Sequence, residues 1–89
     1  MKLIWSEESW DDYLYWQETD KRIVKKINEL IKDTRRTPFE GKGKPEPLKH
    51  NLSGFWSRRI TEEHRLVYAV TDDHCSLQHV VIIIEQIHS

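Results

Sequence analysis

Apolar positions fall in two rhythms along this chain, a helical one in the first third and an alternating or continuous one after residue 55. A short apolar start, Lys2 to Trp5, reads as an edge strand. Ser6 follows as a good N-cap, with Glu7 and Glu8 where the helix dipole favours negative charge. Trp10, Tyr13, Leu14 and neighbouring aromatics then recur at helical spacing, predicting a first helix over residues 7–17. Asp20 caps a second helix, in which Ile23, Ile27, Leu30 and Ile31 fall at i, i+4, i+7 and i+8 on one stripe. A link of three or so residues makes the pair an antiparallel hairpin. Residues 37–54 carry Pro38, Gly41, Gly43, Pro45, Pro47 and Gly54, which predicts a long ordered loop, and such loops in small domains are usually functional. Residues 56–60 and 64–70 read as two strands around a turn at Thr61, Glu62 and Glu63. After a turn at 71–73, the run Val80-Val81-Ile82-Ile83-Ile84 is consistent with a buried strand. The expectation is a single α+β domain over 1–89, with the N-terminal strand and two-helix hairpin packed on one face of a small antiparallel sheet.

Composition sharpens this picture. Eighty-nine residues give a modest core, and four tryptophans and three tyrosines supply much of what can be buried. No stretch approaches the apolar length of a membrane span, and the start lacks the basic and apolar regions of a signal peptide, so a cytoplasmic chain is expected. The lone Cys75 suits a reducing compartment, and nothing nearby forms a convincing base for it. A net charge of −1 hides an asymmetry. Residues 1–20 hold one basic residue against six acids, whereas 21–70 hold thirteen against six and are +7. Such a centre can present a phosphate-binding face, or it can be an ordinary solvated mixture behind an acidic first helix.

Candidate chemistry gathers in the second half. Arg65 opens an apolar strand and shares its face with Val67 and Ala69; Arg58 and Arg59 lie on the facing strand. A guanidinium is a planar fork suited to phosphate oxygens, and clustering three without an anion costs repulsion. Arg65 also reads as a marginal arginine paired with Glu62 or Glu63. Glu46, between two prolines and flanked by Lys44 and Lys49, is either a surface charge or a base held in a rigid loop. Cleavage of RNA by its own 2′-hydroxyl needs a base, cations on the phosphate and an acid for the leaving oxygen. No metal or other cofactor is expected: His50, His64, His74, His79 and His88 lack zinc-like spacing, and Gly41 and Gly43 lack the strand-turn-helix setting of a phosphate loop.

The run Lys49-His50-Asn51-Leu52-Ser53-Gly54-Phe55-Trp56-Ser57-Arg58-Arg59-Ile60, followed by Glu63-His64-Arg65-Leu66-Val67-Tyr68, resembles the YoeB toxins of the RelE/ParE superfamily. The similarity spans residues 1–73, both helices, the loop and the hairpin. It implies a fold of the microbial-ribonuclease kind and an enzyme that enters the ribosomal A site and cuts messenger RNA. It further implies a YefM-type antitoxin as partner and a homodimer. Glu46 matches the family's general base and Arg65 the arginine on the phosphate; Lys49 and Arg59 match positions that hold RNA, and Arg58, from the guanidinium cluster, is expected to bind RNA beside them. Two other readings remain. One is a non-enzymatic module like the gyrase-poisoning ParE branch, and the other a DNA-binding helix hairpin, disfavoured because the aromatic stripe of the first helix suits a core.

The tail departs from the family, whose chains end Ser-Leu-Leu-Ile-Ala-Ala-Cys-Arg-Tyr-His-Tyr with the penultimate histidine as general acid. Here residues 74–84 place Ile83 and Ile84 at those last two positions. The family ending can be encoded so that loss of one base gives His-Cys-Ser-Leu-Gln-His-Val-Val-Ile-Ile-Ile and then begins a Glu codon, matching 74–84 and Glu85. A frameshifted tail would remove the acid, which supplies roughly 10²–10⁴-fold in rate, and neither His79 nor His88 stands at its position. Severely reduced cleavage is expected, with fold and antitoxin binding preserved.

Overall fold

A computed structural model of the chain describes residues 2–71 and 74–79. The elements run β1 (Lys2–Trp5), α1 (Glu7–Thr19), α2 (Lys21–Arg36), β2 (Glu46–Pro47), β3 (Trp56–Arg59), β4 (Arg65–Thr71) and β5 (His74–His79), with a short 3₁₀ turn at His50–Leu52. Ser6 caps α1 as its spacing predicts, its Oγ accepting from the Ser9 N–H at 3.0 Å. The link between the helices is shorter than expected, the single residue Asp20. Its N–H donates to the Trp16 carbonyl at 2.9 Å, closing α1, and its carboxylate accepts from the Arg22 N–H at 3.0 Å, opening α2. One residue can do both because it lies in the extended region between two helical runs.

Five strands among the described residues form one sheet in the order β1-β5-β4-β3-β2. It is a mixed sheet rather than the purely antiparallel one anticipated. β2, β3, β4 and β5 alternate in direction, but β1 runs parallel to β5, with Lys2 opposite His74 and Trp5 opposite Leu77. The reason is connectivity. The helix hairpin carries the chain from β1 across one face of the sheet to its far edge, and the meander β2 to β5 returns beside β1. The strand predicted over 80–84 lies outside the described residues; the first six tail residues, 74–79, supply β5 instead.

The main core lies between helices and sheet. Ile27, Leu30 and Ile31 of α2 pack with Ile60, Leu66, Tyr68, Cys75 and Leu77, with Tyr13, Trp16 and Trp56 packed at its edge. Full burial of such a side chain stabilises by about 1.5–3 kcal/mol. The α1 aromatics divide. Tyr13 and Trp16 reach the core, whereas Trp10 and Tyr15 are 45% and 58% exposed, so the stripe is core on one side only. A second, smaller cluster sits on the other face of the sheet, where Leu48, Leu52 and Phe55 of the long loop cover Val67. Helices therefore cover one face and the loop part of the other. That second face carries the candidate site.

Candidate active site

Strand alternation sorts the charged residues of the hairpin. In β3, Ser57 and Arg59 point to the loop side and Arg58 to the helix side. Register then places Glu46 opposite Ser57, Ser57 opposite Val67, and Arg59 opposite Arg65. Glu46, Ser57, Arg59 and Arg65 thus share the sheet face away from the helices.

There the Arg65 Nη1 donates to Glu46 Oε1 at 2.8 Å and to the Ser57 Oγ at 3.4 Å. The guanidinium is 1% exposed and the Glu46 side chain 45%, so the pair lies at the boundary of solvent, cation beneath and carboxylate above. The alternative partners Glu62 and Glu63 are exposed in the β3–β4 turn. That turn is tied instead by Thr61, whose Oγ1 accepts the N–H groups of Glu63 and His64 at 3.2 and 3.1 Å. The buried Arg65 Nε has no hydrogen-bond partner among the described residues. A charge-bearing group kept dry with donors unspent is a strong invitation to an anion.

Lys49 and Arg59 are both exposed. Lys49 stands at the start of the 3₁₀ turn, whose loop is held to the sheet by the Leu48 N–H donating to the Phe55 carbonyl at 2.9 Å. Arg59 faces Arg65 across the ladder, and its N–H donates to the Gly43 carbonyl at 2.6 Å, tying the loop to β3. Two guanidiniums opposite one another repel unless an anion lies between them.

Arg58 does not belong to this group, and its expected contact with RNA is corrected. It is 0% exposed, on the helix side, and all five of its N–H donors are engaged. Nε donates to the Tyr68 hydroxyl at 3.1 Å; Nη1 to Asp33 Oδ2 at 2.7 Å and the Lys42 carbonyl at 3.1 Å; Nη2 to the Thr37 and Glu40 carbonyls at 2.6 and 2.9 Å. Tyr68 in turn donates to the Pro38 carbonyl at 2.8 Å. The side chain staples loop residues 37–42 to the sheet. Asp33 is its counter-charge. The Lys42 backbone N–H, then Arg58, hold this carboxyl below its ordinary value of 3.8 against the opposing effect of burial. Burial raises the Tyr68 phenol, with Arg58 pulling the other way. Burial also pushes the Cys75 thiol up from 9.0 to about 11, which leaves it a poor nucleophile. The residues that sequence reasoning missed are Ser57 and Asp33. Period-two alternation along β3 was the available signal, since it separates Arg58 from Ser57 and Arg59.

Among the described residues no three His, Cys, Asp or Glu side chains gather as a metal site, and no helix is long and apolar enough to cross a membrane.

Comparison with known proteins meets this geometry. The sequence model of the YoeB-like toxin of bacterial type II toxin-antitoxin systems matches residues 5–84. Toxin YoeB of Escherichia coli O6:H1 is 99% identical over 73 residues, which are 82% of this chain and 87% of that protein. The YoeB/ParE toxin from Agrobacterium tumefaciens superposes with a TM-score of 0.89 at 54% identity, covering 92% of this chain and 98% of that one. The heterotetrameric YoeB-YefM toxin-antitoxin complex from Staphylococcus aureus matches at 0.86 and 48%, covering 92% and 95%. A YoeB dimer from the same organism matches at 0.87 and 48%. Helix hairpin and mixed sheet, shared with these relatives, define a small bacterial toxin with a microbial-ribonuclease-like fold. Within that class, the chain belongs to the YoeB-like toxin family of type II toxin-antitoxin systems.

Proposed function

We propose that this chain is the scaffold of an endoribonuclease that cuts messenger RNA in the ribosomal A site, impaired by its altered tail. The observation that carries the reading is the 2.8 Å contact between Glu46 and the buried Arg65 on the face opposite the helices. Glu46 takes the proton of a ribose 2′-hydroxyl. The freed oxygen bonds to the adjacent phosphorus, the bond from phosphorus to the 5′-oxygen breaks, and that oxygen leaves with the electron pair. Arg65 neutralises the charge on the non-bridging oxygens, while Lys49 and Arg59 hold the flanking backbone. A cytoplasmic setting follows from a ribosomal substrate.

The departing oxygen needs a proton, and the isoleucines at 83 and 84 offer none. We assign residues 74–89 to a single-base frameshift, which an intact toxin lethal to its host would favour. The expected consequence is a loss of roughly 10²–10⁴-fold in cleavage. A YefM-type antitoxin and a second copy of the chain are the proposed partners, as in the Staphylococcus aureus relatives. Primer extension on messenger RNA bound to ribosomes tests the reading. This chain should cut weakly, and a chain with the family ending restored from residue 74 should cut strongly. Wild-type rates from the chain as it stands would overturn the impairment. Inhibition of gyrase supercoiling without cleavage by the restored chain would overturn the nuclease reading in favour of the ParE-like one.

A further inference from the structure

We propose that Ser57 is a positioning residue for Arg65, keeping the guanidinium in place while Glu46 is protonated; this rests on the nuclease reading of the same site. Ser57 is fully buried in β3, between its β2 partner Glu46 and its β4 partner Val67. Nη1 of Arg65 has two N–H bonds and two acceptors, Glu46 Oε1 at 2.8 Å and the Ser57 Oγ at 3.4 Å. These two acceptors meet at Nη1, so the guanidinium plane is held from one corner, and the buried Nε has no hydrogen-bond partner among the described residues. Arg59 across the ladder is a cation and repels it.

The carboxylate's hold on Nη1 is charge-assisted and therefore strong, but it is lost in the reaction itself. When the 2′-hydroxyl proton passes to Glu46, the acceptor becomes neutral in the step that builds charge on the phosphate. An arginine steered by Glu46 alone would loosen at that moment. The Ser57 hydroxyl does not titrate in this range and keeps its acceptor throughout. It is the weaker partner at rest and the steadier one in the transition state.

The test is side-chain nitrogen NMR of arginine-labelled full chain. A guanidinium with an engaged Nη1 rotates slowly and gives separate Nη1 and Nη2 signals; a free one averages them. In Glu46→Ala, where Ser57 is the remaining acceptor, Arg65 should keep two signals. In Glu46→Ala/Ser57→Ala and Glu46→Ala/Ser57→Cys they should merge, and Glu46→Ala/Ser57→Thr should restore them. Cysteine keeps the volume without the oxygen and threonine keeps the oxygen with more volume, so a packing role would rank them the other way. Titration with adenosine 3′-monophosphate should show binding weakened about three- to tenfold in Ser57→Ala and Ser57→Cys, as loss of one ordinary hydrogen bond implies, and little changed in Ser57→Thr. Two signals in Glu46→Ala/Ser57→Ala, or rescue by cysteine and not threonine, would overturn the proposal. No response of the Arg65 signals to the nucleotide would count against the nuclease reading instead, while the ligand-free spectra still decide the role of Ser57.

Discussion

Two arginines, Arg58 and Arg65, lie on neighbouring strands, and each is essentially inaccessible at 0% and 1% exposure. Their hydrogen bonding differs sharply. Arg58 sits in the layer between sheet and helices, with every donor matched and a fully engaged counter-ion in Asp33. Arg65 sits on the other face with Nη1 engaged, Nε without a hydrogen-bond partner among the described residues, and its carboxylate partner half in solvent. Burial by itself therefore says nothing about role; the ratio of donors to acceptors does. A saturated guanidinium ties its neighbours together, whereas a buried donor without a partner is one that an anion could satisfy, as the proposed function requires of Arg65.

That contrast can be broken most forcefully at Arg58. Arg58→Met should lower unfolding free energy by about 3–5 kcal/mol in urea titration, because it takes the buried cation from Asp33 and leaves the loop carbonyls of Thr37 and Glu40 without their donor. Arg58→Lys should not rescue it, one point charge replacing a fork. Arg65→Lys should instead change stability by less than about 1 kcal/mol, since Glu46 remains half exposed and solvated. In a chain with the family ending restored, Glu46→Gln should reduce cleavage by roughly 10²–10⁴-fold at unchanged stability.

Gly41 sharpens the staple side. It has φ +113°, and a Cβ there would meet Asp33 Oδ2, so Gly41→Ala should destabilise by about 1–3 kcal/mol in the same titration. Acid unfolding reads the staple directly. Because the Asp33 carboxyl is lowered in the folded chain, its contribution is complete above the ordinary value of 3.8 and disappears as pH falls through the lowered value. Asp33→Asn should flatten the stability profile in that interval, and an unchanged acid limb would dismiss the ion pair as its cause. The smallest effects belong to Lys49→Ala and Arg59→Ala. Each should weaken binding of a short RNA by a similar factor whatever its sequence and reduce the salt dependence by about one unit of slope.

Much of this was legible in the sequence, for physical reasons. Ser6 and Asp20 announce helix starts because few side chains cap well, and the stripe Ile23, Ile27, Leu30 and Ile31 has one sensible burial. That Glu46 and Arg65 would meet on one face was legible through the resemblance and the strand pattern together. Arg58 was misread because proximity along the chain was taken for proximity in space, where adjacent strand residues face opposite ways. Asp33 and Ser57 were invisible because their meaning lies in partners 25 and 8 residues away, across contacts that no local pattern encodes. The parallel pairing of β1 with β5 is likewise a long-range fact, decided by where the helix hairpin returns the chain.

In the proposed function, RNA lies on the loop-side face of the sheet. Backbone amide NMR of the chain titrated with an RNA oligonucleotide carrying one 2′-deoxyribose at the scissile position would locate it. Shifts concentrated at Glu46, Lys49, Ser57, Arg59 and Arg65, with Asp33, Thr37 and Tyr68 unmoved, are the predicted map. Shifts gathered along α2 and the Asp33 staple, with the Glu46–Arg65 face silent, would contradict it.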